Sequence, residues 1–512
     1  MEVAIPTNEP AIHRLVDDIL ENIFLLNATP PPFWYPPDNE LTGKDQPTVE
    51  HATTLASSQV CTRWRSIAFN CHMIWGLIID YRRHSLRWIE TLLDRSNPSS
   101  LDFGGRLNYM FLADGEQGVL ELVFNHIDRL RIFNAHLPAS SWELVCSRFL
   151  HLPAPNLEFM FVHFYDFAGR LTHPLFNNHA PNLRNFGLSM WAVDFTSPVF
   201  SHLTELLLNM SQENGLFTIL DWLNILGGMP SLRSVQLDGL GQATSRGLPI
   251  DILPFIHLDA LDILMVQGPF HECVALVKHL ILPPRCGLRL RCGDAHLGSD
   301  QRELWAIIEK RIGSWAKNVP YRLLNAETGG GSVKIGNIPR EDDGQELDPI
   351  MSIMLYSLNF KEETVPLFHS LFALFERTFF GTTILRLLIT HDVEAFTGSS
   401  LFDHFRGFTN LEKLVVGNNC LPRLLFPFLQ STNPVLFPTL KSLYFFKVVF
   451  REDRPDSTLR LADFLQWRRE RGFPVQKINI GRNPQYFNRE YVLSHIQDTV
   501  VENRGCAEIV PA

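Results

Sequence analysis

A short apolar pattern recurs along most of this chain and constrains its fold more than any other feature. The pattern reads Leu-x-x-apolar-x-apolar, and neighbouring clear copies begin 20 to 29 residues apart, except across one gap. This period predicts units of one short strand and one connection, and each unit can bury its apolar face only against the next. The seven clear copies begin at Leu157, Leu183, Leu203, Leu232, Leu261, Leu411 and Leu440.

Weaker copies extend the series on both sides and into the gap. Segments between copies carry apolar residues at helical spacing, for example Trp222 to Leu226 and Leu371 to Phe375. The unit length is that of leucine-rich repeats, so we predict an irregular leucine-rich-repeat solenoid over residues 104–512. The weaker copies begin at Ile127, Met351, Ile384 and Val475.

The first 80 residues predict a set of short amphipathic helices. Apolar residues recur on one helical face from Ile12 to Leu26, a second helix is expected from about Leu55 to Phe69, and a short third one around Trp75. Three such helices cannot bury all of their apolar surface among themselves. Part of this surface should therefore meet a partner or the next domain.

An insert from about Ala28 to Thr53 separates the first two predicted helices and contains six prolines. Proline-rich sequence favours extended backbone, so the insert should loop out to solvent. Its apolar triplet, Phe33-Trp34-Tyr35, is expected to pack loosely on the surface.

The order of residues in the three predicted helices resembles the F-box. Residues 15–24 read Leu-Val-Asp-Asp-Ile-Leu-Glu-Asn-Ile-Phe, residues 60–67 read Val-Cys-Thr-Arg-Trp-Arg-Ser-Ile, and Ile74-Trp75 follows. Two departures from the family pattern are Val16, where proline is usual, and the long insert. In that family the module packs on a Skp-type adaptor, which links it to a cullin. The resemblance implies adaptor contacts by Leu15, Ile19, Leu20, Ile23, Phe24, Val60, Cys61, Trp64 and Trp75.

These features together predict an α/β protein with an N-terminal three-helix F-box followed by an irregular leucine-rich-repeat solenoid. The F-box would occupy residues 10–79, with its insert at about 28–53. Residues 80–103 would form a linker helix from Trp88 to Ser96 and a first strand at Leu101-Asp102-Phe103. The whole arrangement resembles the expanded fungal families that combine an F-box with leucine-rich repeats.

Charge and composition narrow the classes of partner. A net charge of -10 argues against a dedicated nucleic-acid binder, which needs concentrated Lys and Arg. The sequence has no export signal and no apolar run long enough to span a bilayer. Eight scattered cysteines without paired spacing fit a reducing compartment, so we expect a soluble protein of the cytoplasm, the nucleus or both, with no membrane partner.

Several residue clusters do not match the functional sites that their residue types suggest. The stretch from Gly329 to Lys334 lacks the Gly-Lys-Ser/Thr end of a phosphate loop, so we predict a surface loop within an excursion over residues 326–348. The basic clusters Arg82-Arg83 and Arg468 to Arg471 are expected to be solvated helix ends or linkers. The densest set of metal-ligand types lacks zinc-site spacing, and core or surface thiols are expected there; the set is Cys273, His279, Cys286, Cys292 and His296.

The functional hypothesis is a substrate-recognition subunit of a Skp-cullin-F-box type ubiquitin ligase. The F-box would bind the adaptor, the repeats would bind a protein target, and ubiquitin transfer would be accelerated by proximity. No catalytic motif occurs, so we expect no enzyme activity and no cofactor or metal. The alternative is a non-catalytic leucine-rich interaction scaffold that recruits no ligase, with the N-terminal helices merely capping the first repeat.

Overall fold

The computed structural model describes residues 15–29, 49–82, 84–104, 110–112, 116–166, 169–209, 217–240, 252–294, 302–319, 323–329, 332–337, 351–356, 364–378, 382–389, 400–417, 421–446, 456–479 and 500–502. Short 3-10 or π turns occur at Ile127–Arg129, Ala139–Ser141, Cys146–Leu150, Leu175–Asn178, Pro198–Phe200 and Ser400–Gly407. The α-helices are α1 (Asp17–Ala28), α2 (Val49–Ser57), α3 (Thr62–Asn70), α4 (His72–Leu77), α5 (Leu86–Arg95), α6 (Gln117–Phe124), α7 (Trp142–Val145), α8 (Ile219–Gly227), α9 (Phe270–His279), α10 (Arg302–Asn318), α11 (Thr364–Thr378), α12 (Leu421–Ser431) and α13 (Asp456–Glu470).

The strands alternate with these helices over most of the chain, which is the order typical of parallel sheets with crossover connections. They are β1 (Leu101–Phe103), β2 (Met110–Phe111), β3 (Leu130–Leu137), β4 (Phe159–Phe164), β5 (Gly169–Arg170), β6 (Asn185–Ser189), β7 (Trp191–Ala192), β8 (Glu205–Asn209), β9 (Ser234–Asp238), β10 (Ile256–His257), β11 (Ile263–Pro269), β12 (Leu280–Ile281), β13 (Gly287–Gly293), β14 (Leu323–Gly329), β15 (Ser332–Gly336), β16 (Met351–Tyr356), β17 (Ile384–Ile389), β18 (Lys413–Gly417), β19 (Ser442–Phe446), β20 (Lys477–Asn479) and β21 (Val500–Glu502).

The chain divides into two units. The first comprises Met1–Met210 and Gly228–Leu232, and the second comprises Ser211–Gly227 and Arg233–Ala512. The first unit begins with α1 to α4, which pack around a shared apolar core that includes Leu20, Phe24 and Trp75. We call these four helices the N-terminal module. Helix α5 packs against α4, and α4 also contacts β1.

The sheet of the first unit is parallel. Strand β3 pairs with β1, β2 and β4, and the order continues through β6 to β8. Alternate residues of each strand point into the core, because successive side chains of a strand face opposite sides. One buried row crosses four strands in register: Phe133, Met160, Phe186 and Leu206.

The sheet of the second unit is mostly parallel, with one strand reversed. Its order is β9, β11, β13, β16, β15, β14, β17, β18, β19, β20, β21, and β15 runs antiparallel to both of its neighbours. Helices α9 to α13 form connections between strands, and α9, α11 and α12 pack on strands of this sheet. One buried row runs through Val235, Leu264, Leu288 and Met351.

The predicted fold, a three-helix F-box followed by an irregular leucine-rich-repeat solenoid, is wrong. The structure is a mixed α/β fold built on mostly parallel sheets. Every copy of the apolar pattern does coincide with a strand, but the connections do not repeat. Strands β6 and β8 are joined through the short turn Pro198–Phe200, whereas the 17-residue α10 lies between β13 and β14. The pattern encodes a buried strand and the residues just before it. It does not specify the connection between strands, which would have to repeat for successive units to be alike.

The N-terminal helices also differ from the prediction. The expected second helix, Leu55 to Phe69, is two helices, α2 and α3, separated at Ser58–Cys61. Helix α2 begins at Val49, so the end of the expected loop over 28–53 is helical. Ala28 ends α1, and residues 30–48 of that insert, including Phe33-Trp34-Tyr35, lie outside the described residues. The expected linker helix and first strand are present as α5 and β1.

The glycine-rich stretch also differs from the prediction. Gly329 ends β14 and Ser332 begins β15, and the two strands pair antiparallel from Asn325 with Gly336 to Gly329 with Ser332. Gly330 and Gly331 lie outside the described residues. Ala326, Val333 and Ile335 are buried. The prediction of a surface loop rested on the missing Gly-Lys-Ser/Thr end of a phosphate loop, whereas the residues around the glycines alternate with the two-residue period of a strand.

Candidate functional site

The N-terminal module is held together at the start of α1 by a charged contact with the start of α3. The Arg63 guanidinium donates hydrogen bonds to the Asp17 carboxylate, at 2.6 and 2.9 Å, and to the Leu15 carbonyl. Asp17 and Asp18 lie in the first turn of α1, where carboxylates interact favourably with the helix dipole. Because the contact is partly exposed, it adds little to the free energy of unfolding. Its main effect is to fix the start of α1 against the start of α3.

Three of the predicted adaptor residues lie inside the module. Leu20 and Trp75 are fully buried and Phe24 is 2% exposed. The indole N–H of Trp75 donates to the Ala68 carbonyl at 2.9 Å, and the rings of Phe24 and Trp64 meet edge to face with centroids 5.3 Å apart. Leu20, Phe24 and Trp75 hold the helices in place and are not available to a partner.

Cys61 also has a structural role in the module. It is the N-cap of α3, and its sulfur accepts a hydrogen bond from the Trp64 backbone N–H at 3.4 Å. Cys61 and Trp64 are half-buried, as are Leu15 and Ile23, which pack against the module core. The remaining predicted residues, Ile19 and Val60, are 45% and 58% exposed.

An apolar stripe runs along the outer face of α1. Val16 is 62% exposed and Leu26 75% exposed, and they extend the exposed surface of Ile19 and the half-buried Ile23 in both directions. Positions 19, 23 and 26 follow the spacing of one helix face, and Val16, the extended N-cap residue of α1, directly precedes the helix. We call these four residues the α1 stripe. Sequence reasoning missed Val16 and Leu26, although the same spacing identifies Leu26.

Val60 lies two residues before α3, whose Arg63 is hydrogen-bonded to the start of α1. It therefore adds apolar surface near one end of the α1 stripe. A second exposed apolar group lies on α3 and α4, where Phe69, Met73 and Leu77 are 42%, 54% and 38% exposed. Exposed apolar side chains concentrated on one small module are typical of a surface that binds another protein.

A row of aromatic and polar side chains crosses the outer face of the first unit's sheet. His136 and His163 are cross-strand neighbours with ring centroids 4.6 Å apart, and His163 Nδ1 lies 2.7 Å from Ser189 Oγ. Burial, and then the neighbouring His163, lowers the pKa of His136 to about 4. The row consists of Phe111, His136, His163, Ser189 and Asn209.

The basic cluster at the end of α13 was predicted to be solvated, but part of it is buried. Arg468 is fully buried and donates to the carbonyls of Leu436, Phe437 and Phe473 at 2.8 to 3.0 Å. Burial lowers the pKa of Arg468 to about 10. Its role is to organise backbone, whereas Arg471 is exposed.

The candidate metal-ligand set is not a ligand set in the described part of the chain, where no three His, Cys, Asp or Glu side chains are placed to hold a metal ion. Cys273, Cys286 and Cys292 are buried thiols, as the sequence suggested for them. Burial raises the pKa of Cys273 well above its ordinary value. His296 lies outside the described residues.

A scan against protein-family models finds no match, and a comparison with curated proteins finds none either. Among the helices in the described ranges, none combines the length and the apolar character that crossing a bilayer requires.

Proposed function

We propose that this chain is a substrate-recognition subunit of a Skp-cullin-F-box type ubiquitin ligase. The N-terminal module would bind a Skp-type adaptor, and the sheet units would bind the target protein. The α1 stripe is the observation that carries the proposal, because it provides an exposed apolar surface within the residues that resemble the F-box. The likeness of residues 15–24 and 60–67 to that family supports the same partner.

The physical argument concerns preorganisation. Leu20, Phe24 and Trp75 fix the helices from inside, so the α1 stripe is already in place before a partner arrives. A partner that covers apolar surface gains about 25 cal/mol per Å² and loses little side-chain entropy to order it. In this proposal the chain performs no covalent chemistry. It accelerates ubiquitin transfer by holding a target lysine near the conjugating enzyme, in the cytoplasm or nucleus, without nucleic acid or membrane.

The test is adaptor binding by a variant with Ile19→Asp and Leu26→Asp. Both side chains are exposed, so the module should stay folded, while two carboxylates in an apolar contact should weaken binding by at least about a hundredfold. Titration calorimetry with a Skp-type adaptor measures the affinity, and circular dichroism checks the fold.

The matched control is Ile252→Asp with Phe255→Asp, two apolar residues of the second unit that are 72% and 58% exposed. This variant should bind adaptor as the wild type does. Leu20→Asp is not a useful probe, since Leu20 is buried and its loss would unfold the module. Equal adaptor binding by the folded Ile19, Leu26 variant would remove the proposal.

A non-catalytic interaction scaffold is the second candidate, and one observation favours it. The N-terminal helices cover the first strand: α4 contacts β1, and the ring of Tyr81 packs on that of Phe103 with centroids 4.7 Å apart. Packing on the edge of a sheet is enough to explain the apolar faces of such helices, without an adaptor. If wild-type protein forms no complex with a Skp-type adaptor, the scaffold replaces the ligase subunit as the function.

A further inference from the structure

Three neighbouring strands of the second unit surround a small cavity on the outer face of the sheet. Gln236 of β9, Met265 of β11 and Arg289 of β13 are cross-strand partners, and two residues further along so are Asp238, Gln267 and Arg291. These side chains, with Val266, line a cavity of about 60 Å³. We call it the Arg289–Arg291 pocket. The alternate residues of the same strands, such as Leu288 and Leu290, are fully buried on the other face.

The two arginines of this pocket have no anionic partner in the described chain. Neither makes an ion pair or a hydrogen bond there, and Arg289 Nε is buried without an acceptor. Residues two apart on a strand lie on one face about 7 Å from each other, so the two positive charges are close. Burial lowers the pKa of Arg289, and the charge of Arg291 lowers it further.

The carboxylate of Asp238 does not neutralise this charge. It accepts a hydrogen bond from the Gln236 amide at 2.8 Å, and it lies two strands away from Arg291 in the register. Arg291 is exposed and can be hydrated, whereas the buried Nε of Arg289 costs free energy unless something supplies it with an acceptor. A guanidinium without a partner in the chain can bind an oxyanion through paired hydrogen bonds.

We propose that the Arg289–Arg291 pocket binds the carboxylate or phosphate group of an acidic peptide segment of a target protein. The cavity is far smaller than the roughly 300–1,000 Å³ of small-molecule sites, and it has room for one such group. The rest of the ligand must then lie across the sheet, as an extended peptide can. A net charge of -10 for the whole chain disfavours a polyanionic nucleic acid as the source of the group.

This inference extends target recognition by the sheet and does not require the adaptor. The experiment contains no adaptor, so the two proposals fail separately. Full-length protein is titrated into fluorescein-labelled seven-residue peptides with a central Glu-Ser-Glu, phosphoserine-Gly-phosphoserine or Gln-Ser-Gln, and binding is followed by fluorescence polarisation. In both acidic peptides the two acidic residues are two positions apart, as Arg289 and Arg291 are.

We expect the acidic peptides to bind and the neutral one to bind at least about tenfold more weakly. The glutamate and phosphoserine arms decide which group the pocket prefers. Arg289→Gln with Arg291→Gln should abolish the difference between acidic and neutral peptides. The charge-matched control, Arg233→Gln with Arg302→Gln, removes two exposed arginines of the same unit and should leave the difference intact.

A third variant guards against misfolding of the double arginine variant. Asp238→Asn keeps an oxygen that can accept from Gln236 and removes the one negative charge of the pocket, so acidic peptides should bind about threefold more tightly. The proposal is overturned if wild-type protein fails to prefer acidic peptides. It is equally overturned if the folded double arginine variant retains the preference, or if Asp238→Asn leaves the affinities unchanged.

Discussion

Arg468 illustrates how one charged side chain can determine the local backbone of an α/β unit. Its guanidinium donates to three carbonyls, two of which belong to Leu436 and Phe437 ahead of β19. Phe437 has a φ of 52°, a left-handed conformation that a bulky residue rarely adopts without support. The guanidinium is the right donor for this task because its fork can reach several carbonyls and remains charged at neutral pH.

Arg468→Met should therefore destabilise the protein by about 3 kcal/mol or more, since it leaves buried carbonyls without donors. Arg468→Lys should recover only part of this loss, because one ammonium cannot reach all three acceptors. Urea unfolding measures both. Arg471→Met, at an exposed position three residues later, is the control and should cost less than about 1 kcal/mol. Equal losses at the two positions would refute the structural role.

His136 makes a pH-dependent contribution of predictable sign. Its pKa is lowered from the ordinary 6.5 to about 4 by burial and by His163. The unfolded chain therefore binds more protons than the folded one between these values, and stability must fall as pH drops from about 6.5 towards 4. Because the ring is partly solvated, we expect about 1 kcal/mol from this residue.

His136→Gln should reduce the loss of stability between pH 7.5 and pH 5, as measured by urea unfolding at each pH. A smaller dependence should remain, because burial lowers the pKa of His163 too. If the variant and the wild type lose the same stability over this interval, the assignment to His136 is incorrect.

Some residue roles could be predicted from the sequence and others could not. The apolar spacing of Leu20 and Phe24 identified them as important, but not which face of α1 the other helices cover. That choice depends on contacts with α3 and α4, which are distant from α1 in sequence. The buried role of Arg468 was invisible because its neighbours Arg469 and Arg471 made the segment look solvated.

At the scale of elements, the strands were the most predictable part of the fold. Each of the seven clear copies of the pattern places two alternate apolar residues on the buried side of a strand, as Leu264 and Val266 do in β11, and burial on that side is a local property. The reversed strand β15 carried no such copy. Its place between β16 and β14 depends on pairing partners on both sides, which a local pattern does not encode.

The β15–β16 pair predicts a sharp contrast between two glycines. A Cβ on Gly336 would lie 2.6 Å from the Ser352 Cα in the paired strand, whereas a Cβ on Gly313 in α10 meets nothing within 4 Å. Gly336→Ala should cost about 2–3 kcal/mol, because backbone cannot give way as a flexible side chain can. Gly313→Ala should instead stabilise by about 0.5–1 kcal/mol by restricting the unfolded chain.

Thermal unfolding of the two single variants tests this contrast, and each serves as the control for the other. A neutral effect at Gly336 would mean that β15 does not pair with β16 as described. Such a result would also return the glycine-rich stretch to the surface loop that the sequence had suggested.

At the scale of the whole molecule, the chain passes between its two units more than once. Helix α8 belongs to the second unit, and Gly228–Leu232, which follows it, belongs to the first. Helix α8 packs on α9 and β10, where Trp222, Leu223 and Leu226 are buried. The repeating pattern does not indicate that the chain passes between two units, because it predicts that each strand and its connection pack on the next ones in sequence.

No single cut can therefore separate the units cleanly. A fragment of residues 1–210 lacks Met229 and Leu232, which are buried and belong to the first unit. A fragment of residues 1–232 restores them but carries α8 without α9 or β10. Its apolar face would be exposed, and exposed apolar surface of that kind promotes aggregation.

The same substitution should consequently have opposite effects in the fragment and in the full chain. Trp222→Ser with Leu226→Ser should destabilise the full chain by about 5 kcal/mol or more, since both side chains fill the core of the second unit. In the 1–232 fragment it should raise the yield of soluble monomer, because those side chains have no core to enter. Size-exclusion chromatography of the fragments and urea unfolding of the full-length proteins measure the two effects. If the substitution lowers the yield of the fragment as well, α8 belongs to the first unit, and the chain should be divided after Leu232.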